Sequence, residues 1–376
     1  MDSSLGALEA KGNLSTAPSL YNPGRVAERV VHFTPDEDDV RFAGFFATWG
    51  ITIVPYLRRS DRGPRLLRAA VGLWRVLRAM RRERVQLARA RLPYLGGLFG
   101  CLAGWLLGVP CVVSLGGDNR LAHGLSGEYP FGNRQLSRAI EVFVLRMARA
   151  VVVPNVFTRD YVLSLIGAKA AARIRVIPWR IERIRSGSVE APPGLEPGLP
   201  IILTVGFLNL YKHSDVLYAV VERLTRSDGP RAQFVFCGDG PLRDLGKRMF
   251  AGHRNVSFPG WQQREAVNTL LRHAAIVLVP MSGFVLLEAA SLGRAVVASR
   301  LEWHSELVRD GESGFLVEAR DVAAWTDRIR LLLEDVPLRE RLGEALLRRF
   351  EADYGPERAE KAEIDLYCEL AGGSAA

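Results

Sequence analysis

The stretch Ala275–Val317, AIVLVPMSGFVLLEAASLGRAVVASRLEWHSELVRDGESGFLV, holds the residues best suited to chemistry in this chain. Its apolar runs predict a buried strand, Ile276–Pro280, a turn of small residues, a short helix, Val285–Leu292, and a second buried strand, Ala295–Ser299. The helix then begins just past the carboxyl end of a strand, where open α/β sheets bind their ligands. The amides of Gly283, Phe284 and Val285 are first-turn donors and suit an anion such as a diphosphate. Glu288, one turn in, is the sole carboxylate between Ala266 and Arg300. Its two oxygens can hold both hydroxyls of a ribose. Diphosphate donors beside a diol acceptor describe a nucleotide-sugar site. The plain alternative is an ordinary strand–helix–strand unit whose glutamate faces water.

Other residues join this one by position. Lys212 follows the predicted strand Ile201–Val205 and its closing Gly206, in a chain whose other lysines are Lys11, Lys169, Lys247 and Lys361. There it would neutralise a diphosphate; the alternative is a solvated surface lysine. Gly238 and Gly240 permit a close backbone approach or a plain turn. Trp261 would line a base pocket or cover an apolar surface. Asp118, the one acid from Leu92 to Gly127, closes another strand. It would orient a sugar or acceptor hydroxyl, or cap a loop.

Short β-rich runs alternating with helical ones must position these residues. The first half offers Val30–Phe33, Ile51–Tyr56, Val85–Ala88, Cys111–Leu115, Val151–Val153 and Arg175–Ile177. The second offers Ile201–Val205, Gln233–Cys237, Val256–Phe258, Ile276–Pro280, Ala295–Ser299 and Gly314–Val317. Such alternation implies parallel sheets covered on both faces. Ser186–Pro200, rich in Pro and Gly, separates the halves as a linker or exposed loop. The expectation is α/β: two doubly wound domains facing across a cleft.

The chain has 376 residues, 48% of them apolar, which is room for two domains. Arginine dominates a formal charge of +9. Four cysteines without a CxxC, and six histidines without HxH or HExxH, argue against a metal site and for a reduced, cytoplasmic protein. No secretory signal opens the chain, and residues 1–25, rich in Ser, Gly and Ala, read as a flexible tail. The uncharged run Leu92–Asn119, broken by Asp118, is punctuated at Gly108-Val109-Pro110. It reads as a buried helix, turn and strand rather than a membrane span.

Motifs in order along the second half resemble retaining glycosyltransferases of family 4. They are Thr204-Val205-Gly206-Phe207-Leu208 with Lys212; Gly238-Asp239-Gly240-Pro241; Asn255-Val256-Ser257-Phe258-Pro259-Gly260; Leu287-Glu288-Ala289-Ala290 through Gly293; and Glu306-Leu307-Val308 with Gly314-Phe315-Leu316-Val317. Ser114-Leu115-Gly116-Gly117-Asp118 and Val176-Ile177-Pro178-Trp179 extend the likeness more loosely into the first half. The resemblance covers about residues 85–370 and implies a GT-B fold of two Rossmann-like domains. It implies an acceptor-side domain at 26–180, a nucleotide-sugar domain at 181–355, and a helix at 356–376 returning to the first domain. It implies catalytic roles for Lys212, Glu288 and Asp118. Nucleotide-sugar contacts would come from Gly206, Lys212, Gly238, Gly240, Trp261, Gly283, Phe284, Val285 and Glu288. It further implies transfer of a sugar from a nucleoside-diphosphate sugar to a lipid-linked or glycan acceptor, with retention and with no metal or cofactor. Asp36-Glu37-Asp38, which mimics a metal-binding DxD, then reads as a charged loop. The family's first glutamate falls on Pro280, the arginine of its glycine turn on Phe207 and a histidine on Leu115. A non-catalytic relative that binds nucleotide or a partner therefore stays open. So does a UDP-sugar epimerase, for which His213 and His304 are the nearby histidines.

Arginines from Arg58 to Arg91 surround a helix carrying Leu66, Leu67, Leu73, Trp74 and Leu77. A basic amphipathic helix with a tryptophan suits an anionic membrane surface, reached from the cytoplasm. Without a stacking platform or DNA-binding motif it does not suit nucleic acid. The plain alternative is a solvated helix.

Overall fold

The computed structural model of the protein describes residues 5–10, 14–121, 127–184, 195–196, 198–226, 232–281 and 283–372. Two compact units make up the chain: Met1–Pro178 together with Ala359–Ala376, and Trp179–Arg358. Most of Ser186–Pro200 lies outside the described residues.

The first unit opens with two short helices, α1 (Leu5–Ala10) and α2 (Ala17–Tyr21). The described residues of the segment expected to be a flexible tail are thus in part packed. Leu5 and Ala17 are fully buried against Phe42, Phe46, Ile51 and Ile53. Gly6 donates its amide to Asp39 at 3.1 Å, and Gly24 donates to Glu360 at 2.9 Å. β1 (Val30–Thr34) pairs in parallel with β2 (Ile51–Pro55) as a sheet of their own, with α3 (Ala43–Ala47) between them. Asp39 is buried on Thr34, and Asp36 caps the amide of Asp38, so the acidic run after β1 is structural.

Next come α4 (Arg65–Arg82), β3 (Ala88–Ala90), α5 (Leu95–Leu107), β4 (Cys111–Ser114), α6 (Arg134–Met147), β5 (Ala150–Val153), α7 (Val156–Ile166) and β6 (Ile174–Val176). The four strands form a parallel sheet in the order β3-β4-β5-β6. β3 begins three residues later than its apolar run suggests. Arg84, left-handed at φ 50°, and a Val85-to-Met80 amide bond of 3.0 Å close α4 first, so pairing starts only at Ala88. The uncharged run forms α5, a turn and β4, as expected. No helix among the described residues is long and apolar enough to cross a membrane. The closing helix α15 (Pro356–Ala371) packs Ala359, Leu366 and Tyr367 onto Val112, Ala150 and Ile177 of this unit.

The second unit is one six-stranded parallel sheet. Its elements are β7 (Ile201–Val205), α8 (Ser214–Thr225), β8 (Gln233–Cys237), α9 (Arg243–Met249), β9 (Val256–Gly260), α10 (Arg264–His273), β10 (Ala274–Val279), α11 (Phe284–Ser291), β11 (Ala295–Ser299), α12 (His304–Leu307), β12 (Phe315–Val317), α13 (Val322–Glu334) and α14 (Val336–Asp353). The order is β12-β11-β10-β7-β8-β9. Apolar strands buried along their length suit a sheet covered on both faces. The chain starts in the middle, winds outward through β8 and β9, then returns to β10 on the other side of β7. Between β7 and β10 the winding direction reverses, and such a switch point opens a crevice at the carboxyl ends of the strands.

Candidate functional site

Two loops meet at that switch point. One follows β7 and carries Gly206, Phe207 and Lys212; the other follows β10 and leads through Gly283 into α11. Gly206 and Lys212 thus follow one of two adjacent strands, and Gly283, Phe284, Val285 and Glu288 follow the other. α11 has no side-chain cap: its first position, Gly283, is extended and bonds no side chain. Its opening amides meet the switch point with the positive end of the helix dipole behind them.

The glycine turns are built against one another. Gly206 donates to Cys237 O at 3.0 Å, Leu208 to Asp239 O at 2.8 Å, and Leu242 to Leu208 O at 3.0 Å. A Cβ on Gly238 would lie 1.8 Å from the Gly206 carbonyl oxygen, and one on Gly240 would lie 2.4 Å from that of Leu208. Their identity thus answers to the neighbouring turn. Gly206, at φ 146°, has open space where a side chain would stand, so its backbone is the one a ligand can approach.

Lys212 is half-buried, its amide held by Asn209 Oδ1 at 2.8 Å and its ammonium 5.3 Å from the Tyr211 ring centre. Burial lowers its pKa, and the charge of Glu302 opposes that shift. His304, wholly buried at the end of β11, places Nδ1 2.8 Å from the Ser299 carbonyl. Burial brings its pKa down to about 4, with Lys212 acting in the same direction. The imidazole is neutral and part of the packing. His213 takes a left-handed backbone at the start of α8, and burial lowers its pKa too.

Glu288 does not face water. It is 3% exposed, and its Oε1 accepts from Arg264 Nη1 at 2.5 Å. Arg264, first in α10, is the functional candidate that motif reading passes over. Its one signal in the sequence is a cation opening the helix after the Asn255–Gly260 motif. Around this carboxyl end stand half-exposed aromatic rings: Phe207, Trp261 and Phe284, at 55%, 48% and 52%. Phe284 leans on Trp179, which meets Trp303 edge-on at 5.5 Å.

Asp118 belongs to the first unit. Its carboxylate binds the Arg120 amide at 2.8 Å and the guanidinium at 2.7 Å. Beside it, buried Glu141 accepts from Asn119 at 2.6 Å and from Tyr161 at 2.9 Å, and burial raises its pKa. Asp118, Asn119 and Arg120 are thus engaged in polar contacts within this unit. A basic surface concavity in the second unit, lined by Arg309, Arg348, Arg349 and Asp353, lies beside α14 rather than at the strand ends. Among the described residues no cluster of His, Cys, Asp or Glu is arranged to hold a metal ion.

Residues 189–348 match the family described as Glycosyl transferases group 1, and residues 25–179 match the one described as Glycosyl transferase 4-like domain. The chain is similar to alpha-D-kanosaminyltransferase of Streptomyces kanamyceticus, with 28% identity over 64% of this chain and 65% of that one. D-inositol 3-phosphate glycosyltransferase of Nocardia farcinica is 33% identical over 46% of this chain and 42% of that one. The chain thus spans less than two thirds of the length of these curated relatives. In fold it is similar to Anabaena HepE, solved in complex with UDP-glucose. The TM-score is 0.72 at 16% identity, over 94% of this chain and 95% of that one. The shared fold is GT-B.

Proposed function

Because the chain belongs to the glycosyl transferases group 1 family, we propose that it moves a sugar from a nucleoside-diphosphate sugar onto a lipid-linked or glycan acceptor. The reading is supported by the topology: Lys212 follows β7, the uncapped start of α11 and Glu288 follow β10, and these adjacent strands flank the switch point. Fixed positive groups aimed at a departing diphosphate stabilise the charge that develops as the glycosidic bond breaks. With such groups in place the reaction has no need of a metal, and retention of configuration follows the family resemblance. The UDP-glucose held by HepE, a protein of the same fold, supports a nucleotide-sugar donor.

Incubation with labelled nucleotide sugars and membrane extract tests the reading. Labelled glycan that forms and persists in EDTA is the expected result. Transfer abolished by EDTA overturns metal independence. Tight nucleotide binding with neither transfer nor hydrolysis marks a non-catalytic relative, and an altered sugar still on its nucleotide marks an epimerase.

The acceptor side would meet an anionic membrane through α4. Gly72, Val76 and Met80 of this helix are buried, whereas Leu66, Leu67 and Trp74 are 86%, 52% and 55% exposed. Helical spacing puts those three, with Arg78 and Arg81, on one outward stripe. Some arginines of the region serve the fold instead: Arg75 pairs with Asp61, Arg89 with Glu363 and Arg59 with Asp38. Exposed Arg62, Arg65, Arg78 and Arg81 are among those that remain. Each contributes roughly 1 kcal/mol near an anionic surface. Sedimentation with phosphatidylglycerol-rich vesicles should exceed that with phosphatidylcholine vesicles, and should fall with salt. Equal binding to both would remove the docking surface.

A further inference from the structure

We propose that Arg264 is a donor-binding residue: Glu288 anchors one edge of its guanidinium, and its remaining N–H groups hold the diphosphate of the nucleotide sugar. This rests on the donor-site reading above and names the group that would do the binding.

The chain's winding brings Arg264 there. It follows the loop after β9, so it stands at the carboxyl end of the sheet, and α10 then packs against β7 and β10, the strands that flank the switch point. The bond from Nη1 to Glu288 Oε1, 2.5 Å long, ties it to α11 one turn in from its start. Within this pair the carboxylate lies inside and the cation outside: the side chains are 4% and 31% exposed, Glu288 and Arg264 respectively. A ligand arriving from solvent meets the guanidinium first. That group carries five N–H donors in a planar fork matched to phosphate oxygens. Glu288 takes one, and no other partner of Arg264 exists among the described residues.

The neighbouring positions leave a place for it. Phe207, in the turn after β7, brings an exposed ring and no charge to the strand ends. Arg120 is committed to Asp118 in the first unit. Lys212, after β7, and Arg264, at the start of the helix after β9, are then two cations that follow different strands of the sheet. Glu288 acts on the diphosphate through Arg264: its Oε1 anchors the guanidinium, and its second oxygen is left for the ribose.

Calorimetry with uridine and UDP, and with guanosine and GDP, tests this on the full chain. Arg264→Gln should weaken the nucleoside diphosphate about tenfold or more, the scale of lost charge-assisted hydrogen bonds, and leave the nucleoside within about twofold. Arg264→Lys should recover part of the loss. Because Arg264→Gln leaves a buried carboxylate unpaired, the double variant Arg264→Gln with Glu288→Gln supplies a neutral pair that keeps the fold. It should lose diphosphate affinity to the same extent as the single variant. Equal losses for nucleoside and diphosphate, or no loss in the double variant, overturn the inference while leaving the donor site in place. A wild-type chain that binds none of the four probes overturns the donor-site reading and this inference with it.

Discussion

Replacing Lys212 with alanine is expected to lower the rate of sugar transfer by about a hundredfold to a thousandfold, the usual result of removing one fixed stabilising group. The loop after β7 presents this lysine at the switch point, its amide pinned by Asn209 and its ammonium half-buried. Burial already disfavours the charged amine. A diphosphate arriving beside it relieves that cost, and more so as charge accumulates on the leaving oxygen. The effect should therefore fall on kcat more than on KM, and nucleoside affinity should not change. Single-turnover kinetics with a labelled nucleotide sugar in EDTA measure it. A variant that keeps kcat within threefold would remove Lys212 from the chemistry.

A different substitution should strike the fold. Gly238→Ala is expected to cost the second unit about 3–5 kcal/mol, from overlap added to backbone strain. The new Cβ would meet the Gly206 carbonyl oxygen at 1.8 Å, and φ at this residue is 153°. The obstacle is backbone, fixed by the Gly206-to-Cys237 hydrogen bond, so it cannot turn aside as a side chain does. Gly206→Ala offers the control. Its φ is also positive, at 146°, but the added methyl meets open space, so only the strain of about 1–2 kcal/mol remains. Denaturant unfolding followed through the tryptophans should separate the two. Similar losses would show that the turns give way to each other.

Much of this was legible along the chain because the relevant signals are local. Unbroken apolar runs mark the strands of the second unit, and β7, β8 and β11 begin and end where their sequences suggest. A strand followed by small residues and a helix is likewise a short-range pattern, and it locates Gly283 and Glu288. What escaped depends on contacts between distant residues. Arg264 and Glu288 lie 24 positions apart, and nothing in either segment announces the other. Gly238 reads as a turn from its own neighbours, and its real constraint is the carbonyl of Gly206. Residues 1–25 average as polar and small, yet Leu5 and Ala17 are buried by partners that lie beyond Asp39. Composition records what a segment contains and is silent about what covers it.

The closing helix has a consequence for how the protein is made. The first unit is discontinuous: Ala359, Leu366 and Tyr367 complete a core begun at Val112 and Ala150, and the whole second unit lies between them in the chain. A ribosome therefore delivers every strand of the second unit before it delivers the last wall of the first. Domains generally fold as units when their sequence is complete. Here the order of synthesis is inverted for folding: the second unit can reach its native state while the first still waits, its β4 and β5 surface uncovered, for residues translated after that unit.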